Sequence, residues 1–125
     1  MTTILVVDDE EPIRFAFRLV LEDAGYAVNE AADGVEALKA LSDRDCDLVI
    51  TDIVMPNQDG IETILHLKER KPGLPIIAIS GGCQLGFAAS PGIPPNFAVE
   101  AMLSKPVTSV ELLTTVRRVL TAHGA

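Results

Sequence analysis

The sequence predicts an α/β domain, an open parallel β-sheet with helices on both faces. Short apolar runs alternate along the chain with stretches whose apolar residues recur at helical spacing, the order that strand–helix–strand crossovers produce. The runs Ile4–Val7, Leu48–Ile50 and Ile76–Ile79 are nearly continuous in Ile, Val and Leu. Strands buried on both faces of a parallel sheet look like this, whereas half-exposed strands alternate. The 125 residues suit one domain and are read as a single unit, residues 1–125, because domains run to roughly 100–200 residues.

The elements follow in order. After the first run, Ile13, Phe17, Val20, Leu21 and Ala24 share one helical stripe, with Pro12 in the first turn and Gly25 at the end. Ala27–Val28 is a weak second strand. Asp33 with Glu36 three residues later is a helix-start pattern, and Val35, Leu38 and Leu41 form the expected buried stripe. A third helix follows the Leu48–Ile50 run. It opens at Asp59-Gly60, carries Ile61, Ile64 and Leu65, and closes at Lys71-Pro72-Gly73. Ala101–Leu103 is a fifth strand. Thr108 and Glu111 then form a capping box before Leu112, Leu113, Val116, Val119 and Leu120.

The segment between the fourth and fifth strands differs. Gly81–Asn96 holds glycines at 81, 82, 86 and 92 and prolines at 91, 94 and 95. Each interior glycine costs a helix about 1 kcal/mol and each interior proline about 3. A loop is expected there, with at most a short turn around Gln84–Ala89.

Charge narrows the functional classes. Lys and Arg number 10 against 18 Asp and Glu, a net charge of −8. Nucleic-acid binding needs a basic footprint, and an anionic membrane face attracts basic segments, so neither partner is expected. Cys46 and Cys83 lack metal-ligand spacing and read as two idle thiols. Met1-Thr2-Thr3 runs straight into a four-residue apolar stretch without a basic n-region, so a cytoplasmic location is expected.

In open α/β sheets, ligands bind beyond the carboxyl ends of the strands. The first strand ends in Asp8-Asp9, followed by Glu10 and Glu11, the third in Asp52, the fourth in Ser80-Gly81 and the fifth in Lys105-Pro106. Two carboxylates about 5 Å apart repel by about 3 kcal/mol at an effective dielectric near 20. Three together call for a cation or a proton. Oxygen-only ligands suit a hard ion such as Mg²⁺, which takes one or two carboxylates and a phosphate oxygen. Lys105 and Ser80 can then hold phosphoryl oxygens, and Asp52 is the carboxylate placed to act as nucleophile. Taken singly, each residue has an ordinary role: Asp8 or Asp9 as a helix cap, Ser80 as a turn residue, Lys105 as a solvated lysine.

As a set, Val6-Val7-Asp8-Asp9-Glu10, Thr51-Asp52-Ile53-Val54-Met55-Pro56-Asn57-Gln58-Asp59-Gly60, Ala78-Ile79-Ser80-Gly81 and Ser104-Lys105-Pro106 resemble the receiver domain of two-component response regulators. The resemblance runs from about Thr3 to Leu120. It implies a flavodoxin-like (βα)5 doubly wound sheet with strand order 2-1-3-4-5, in which the fourth helix is here shortened or replaced by the Gly/Pro-rich loop. It implies that Asp52 accepts a phosphoryl group from a phosphohistidine of a sensor histidine kinase or a His-phosphotransfer domain. Mg²⁺ would be held by Asp8, Asp9, Asp52 and the carbonyl of Val54, while Ser80 and Lys105 would bind phosphoryl oxygens and Gly81 would leave room for the donor. A cis Lys105–Pro106 bond is also implied. Met102 stands where the family usually carries an aromatic residue, and is expected to serve as a flexible apolar plug.

The leading expectation is a stand-alone signalling receiver with a downstream protein partner. The alternatives are a degenerate receiver that only docks, and a receiver belonging to a longer regulator or hybrid kinase. A phosphatase with an aspartyl nucleophile would need a second acid two residues after Asp52, where Val54 stands. A nucleotide or flavin carrier would need a phosphate cradle where Asp8-Asp9-Glu10-Glu11 stands.

Overall fold

The computed structural model describes residues 2–53, 60–80 and 99–122. Among these the order is β1 (Thr3–Val7), α1 (Glu11–Asp23), β2 (Ala27–Ala31), α2 (Gly34–Asp43), β3 (Leu48–Asp52), α3 (Gly60–Arg70), β4 (Ile76–Ser80), β5 (Ala101–Ser104) and α4 (Ser109–Ala122). All strand pairs are parallel, and the sheet order is β2-β1-β3-β4-β5. The expected doubly wound sheet and its strand order are therefore present. The Gly81–Asn96 segment, and with it the expectation of a shortened fourth helix, lies outside the described residues.

Strand pleating sends alternate side chains to opposite faces, and two apolar layers result. Ile4, Val6, Val28, Leu48, Ile50, Ile77 and Ile79 pack against Phe17 and Leu21 of α1 and Leu112, Val116, Val119 and Leu120 of α4. Leu5, Val7, Ala31, Val49, Ile76 and Ala78 pack against Ala37 and Leu41 of α2 and Ile64 and Leu67 of α3. Every residue of β3 and β4 is buried, which is why their sequences do not alternate.

Local chemistry sets the helix ends. Gly25 closes α1 at φ +99°, a conformation that side chains with a Cβ avoid. The Asp33 carboxylate accepts from Glu36 N–H at 2.9 Å. Thr108 Oγ1 accepts from Glu111 N–H at 3.1 Å and the Glu111 carboxylate accepts from Thr108 N–H at 3.2 Å, completing the expected capping box.

Two expectations need correction. Val35 is 70 % exposed, and the buried residues of α2 are Gly34, Ala37 and Leu41 with Leu38 packed alongside. At 100° per residue, Val35 falls off the stripe that Gly34 and Ala37 define. Met102 is 37 % exposed on β5, a surface position and not a packed plug. β5 is an edge strand with alternating burial, so every second side chain turns outward. The weak second strand is also longer than its apolar signal. β2 runs the full Ala27–Ala31 because its polar Asn29 and Glu30 sit on an edge strand where burial is incomplete.

Candidate functional site at the carboxyl edge of the sheet

β1 and β3 lie side by side, with Val7 paired to Thr51, so their following residues Asp8 and Asp52 emerge together at one rim. Both carboxylates are nearly buried, at 1 % and 3 % residue exposure. The ladder continues past β3, where Ile53 N–H donates to the Ile79 carbonyl at 3.0 Å. On the far side, Ser80 pairs with Ser104, and Lys105 N–H donates to the Ser80 carbonyl at 3.0 Å. That register carries Lys105 just past the sheet edge, where its peptide bond to Pro106 is cis, as the resemblance implied.

Lys105 closes the site. Its ammonium donates to Asp52 Oδ2 at 2.9 Å and lies 3.3 Å from Asp8 Oδ2 and 3.7 Å from Glu10 Oε1. Burial opposes its charge, but the hydrogen bond and charge of Asp52, then the charge of Asp8, outweigh burial and hold its pKa above the ordinary lysine value. Asp8 moves the other way from most paired acids. Burial pushes its pKa up, the Asp52 charge adds to the rise, and the Glu10 N–H (2.9 Å from Asp8 Oδ1) and Lys105 only partly offset it.

A carboxylate held above its ordinary range is short of positive charge. One oxygen from each of Asp8, Asp9 and Glu10 lies within 4.8 Å of the others. Asp9 and Glu10 are exposed while Asp8 is not, so the cluster opens outward from a buried acid. The donor set is oxygen only, which fits a hard divalent ion. Lys105 contacts both Asp8 and Asp52, which places Asp52 beside this cluster. Ser80 is also nearly buried, and its hydroxyl makes no hydrogen bond with any described residue.

Asp8, Asp52, Ser80 and Lys105 thus share one edge, with Asp9 at its mouth. Val54 and Gly81 lie outside the described residues. Two participants escaped sequence reasoning. Glu10 was visible only as part of an acidic run. Arg14, on α1, donates from Nη1 to the Asp8 carbonyl at 2.7 Å. Nothing in the helical pattern marks it, because its aim depends on Glu30 of β2, which accepts from its Nε at 3.1 Å.

A family model of the response regulator receiver domain matches residues 4–117. The chain belongs to the response regulator receiver family. Its sequence is 36 % identical over 120 residues to sensor kinase CckA of Brucella abortus, covering 94 % of this chain and 12 % of that protein. It is 35 % identical over 109 residues to response regulator MprA of Mycobacterium sp., covering 82 % of this chain and 47 % of that protein. The receiver therefore spans less than half the length of either relative. Its fold is similar to that of a CheY-like receiver domain protein from Methanospirillum hungatei, with a TM-score of 0.89 at 28 % identity, covering 98 % of this chain and 96 % of that one. Among the described residues of the receiver, no helix is long and apolar enough to cross a membrane. Cys46 is half-buried, and burial lifts its thiol pKa to about 11, so it is an unreactive thiol at neutral pH.

Proposed function

We propose that Asp52 accepts a phosphoryl group from the phosphohistidine of a sensor histidine kinase or a His-phosphotransfer domain, and that the acyl phosphate switches the surface this receiver offers to a downstream protein. The observation that carries the reading is the shared contact of Lys105 with Asp52 and Asp8 beside the acid cluster. A carboxylate oxygen of Asp52 attacks phosphorus, the P–N bond to the donor imidazole breaks with its electron pair returning to nitrogen, and the imidazole, already protonated on its other ring nitrogen, leaves neutral. Phosphoryl transfer asks for positioning and charge neutralisation more than covalent work. Lys105 supplies a compact positive charge to one phosphoryl oxygen, and the Ser80 hydroxyl donates to another.

Mg²⁺ is the proposed cofactor, with Asp8, Asp9, Asp52 and the Val54 carbonyl as its ligands and Glu10 within reach. When bound, it supplies charge neutralisation for the incoming phosphoryl oxygens. The receiver modifies itself and turns over no free substrate, so it is not an enzyme in the ordinary sense. Residues 1–125 are taken as a single domain acting in the cytoplasm. A place within a longer regulator or hybrid kinase is the second reading, favoured by the fraction of each relative that the chain spans. Incubation with acetyl phosphate and Mg²⁺ followed by intact-mass measurement tests the proposal. One added phosphoryl group is expected, absent with chelator and absent in Asp52→Asn. Unchanged mass would leave a docking module without phosphorylation.

A further inference from the structure

Asp8 is held from two sides. Its carboxylate meets Glu10 N–H and Lys105, as described above, and its N–H donates to the Ala31 carbonyl at 3.1 Å. Its carbonyl accepts from Arg14 Nη1 at 2.7 Å. The Arg14 side chain is only 14 % exposed, and its Nε donates to Glu30 Oε1 at 3.1 Å. The second oxygen of Glu30 accepts from Arg18 Nη1 at 2.9 Å, and Arg18 Nε donates to Glu22 at 3.1 Å. Glu30 sits on β2 opposite Val6 of β1, so the strand pairing fixes its height relative to the rim.

We infer that Arg14 is a positioning residue for the cation site, fixing the Asp8–Asp9 peptide so that the clustered carboxylates stay together before the cation arrives. This rests on the Mg²⁺-dependent reading above. Carboxylates this close repel one another, and a loop free to rotate about the Asp8–Asp9 peptide would splay them. Arg14 opposes the rotation through a carbonyl and occupies no carboxylate oxygen of Asp8, Asp9 or Glu10. Glu30 gives the guanidinium its direction and also cancels its charge, so that a divalent ion is not repelled. Arg18, then Arg14, hold the Glu30 carboxyl below its ordinary range, which keeps that cancelling charge in place at neutral pH. A lysine cannot make both bonds, because its ammonium lacks the planar fork.

The test is Mg²⁺ affinity of the full chain by calorimetry, in wild type, Arg14→Gln, Arg14→Lys and Arg18→Gln. Partners of metal ligands typically change affinity by 10–100-fold, and a backbone partner belongs at the low end, so Arg14→Gln should weaken Mg²⁺ by about tenfold. Arg14→Lys should remain weakened, because it restores charge but not the paired bonds. Arg18→Gln breaks only the outer leg and should stay within about twofold. Thermal unfolding without Mg²⁺ reads the structural contribution separately, and Arg14→Gln, which removes the less exposed side chain, should melt lower than Arg18→Gln. Wild-type affinity in Arg14→Gln, or an equal loss in Arg18→Gln, overturns the inference alone. A wild type that binds no Mg²⁺ overturns the cation reading and this inference together. Should Arg14→Gln fail to fold, the wild-type Arg14 Nε–H resonance must shift along the same Mg²⁺ isotherm as the Asp9 amide; a resonance that does not move overturns the inference.

Discussion

The Lys105 ammonium donates a 2.9 Å hydrogen bond to Asp52, reaching from beyond β5 across the end of β4 to β3. The same nitrogen lies 3.3 Å from Asp8 at the end of β1. One cation therefore serves two nearly buried carboxylates, with Asp9 and Glu10 beside them. The centre is short of positive charge by construction. On the proposed reading, that shortage costs folding stability without a divalent ion and is what a bound divalent ion would relieve.

Removing the shared cation exposes this cost. Breaking a fully buried ion pair costs about 3–5 kcal/mol. Lys105 is partly exposed, so Lys105→Ala should lose about 1–3 kcal/mol by urea unfolding in chelator. The sign with pH follows from its raised pKa. The contribution is fully present below the ordinary lysine value of about 10.4 and is lost only as pH rises through the raised folded value. The gap between wild type and Lys105→Ala should therefore not close as pH rises to 9, and it widens where Asp8, without Lys105 beside it, ionises at higher pH.

Asp8 carries the opposite penalty. Its folded pKa is raised, so the folded state holds a proton that the unfolded chain has released. Stability therefore falls as pH rises from the ordinary carboxylate value, about 4, through the raised one. In chelator at pH 7, Asp8→Asn should be more stable than wild type, and the gain should vanish below about pH 4, the ordinary carboxylate value. Chemical denaturation at both pH values reads the difference. Equal stability at pH 7 would show that Lys105 already compensates Asp8 in full.

Divalent binding should recover the penalty. At a Mg²⁺ concentration of about 100 times its dissociation constant, linkage adds about 2.7 kcal/mol to unfolding. Thermal melts with Mg²⁺ and with chelator should differ in wild type and coincide in a variant combining Asp8→Asn with Asp9→Asn.

The fold was legible where burial is complete. β1, β3 and β4 announced themselves as nearly continuous Ile, Val and Leu runs because both sheet faces are covered. β2 and β5 were weak signals because they are the two edges. Asp8, Asp9, Asp52, Ser80 and Lys105 could be expected at one rim because a parallel sheet delivers every strand end to the same edge. Val35 was misplaced because the +3 steps from Leu41 back to Leu38 and Val35 each drift by about 60° round the helix, which carries Val35 off the buried face. Arg14 and Glu30 were invisible because their pairing joins α1 to β2, and only the folded register brings them together.

Lifetime of the acyl phosphate is a separate expectation. The positions two after Asp52 and two after Ser80 are Val54 and Gly82, and neither side chain can orient an attacking water. Once the donor is removed, the phosphorylated protein should decay slowly compared with receivers that are polar at both positions. Decay within seconds, followed by intact mass, would contradict it.

Chemical mapping of the modified residue reaches the central claim most directly. The protein is phosphorylated with acetyl phosphate and Mg²⁺, reduced with borohydride to convert an acyl phosphate to homoserine, and digested for peptide sequencing by mass. Homoserine at position 52 alone is expected. Homoserine at any other acid of the rim, or none in protein whose Mg²⁺ binding is intact, would contradict the assignment of Asp52 as the phosphoryl acceptor.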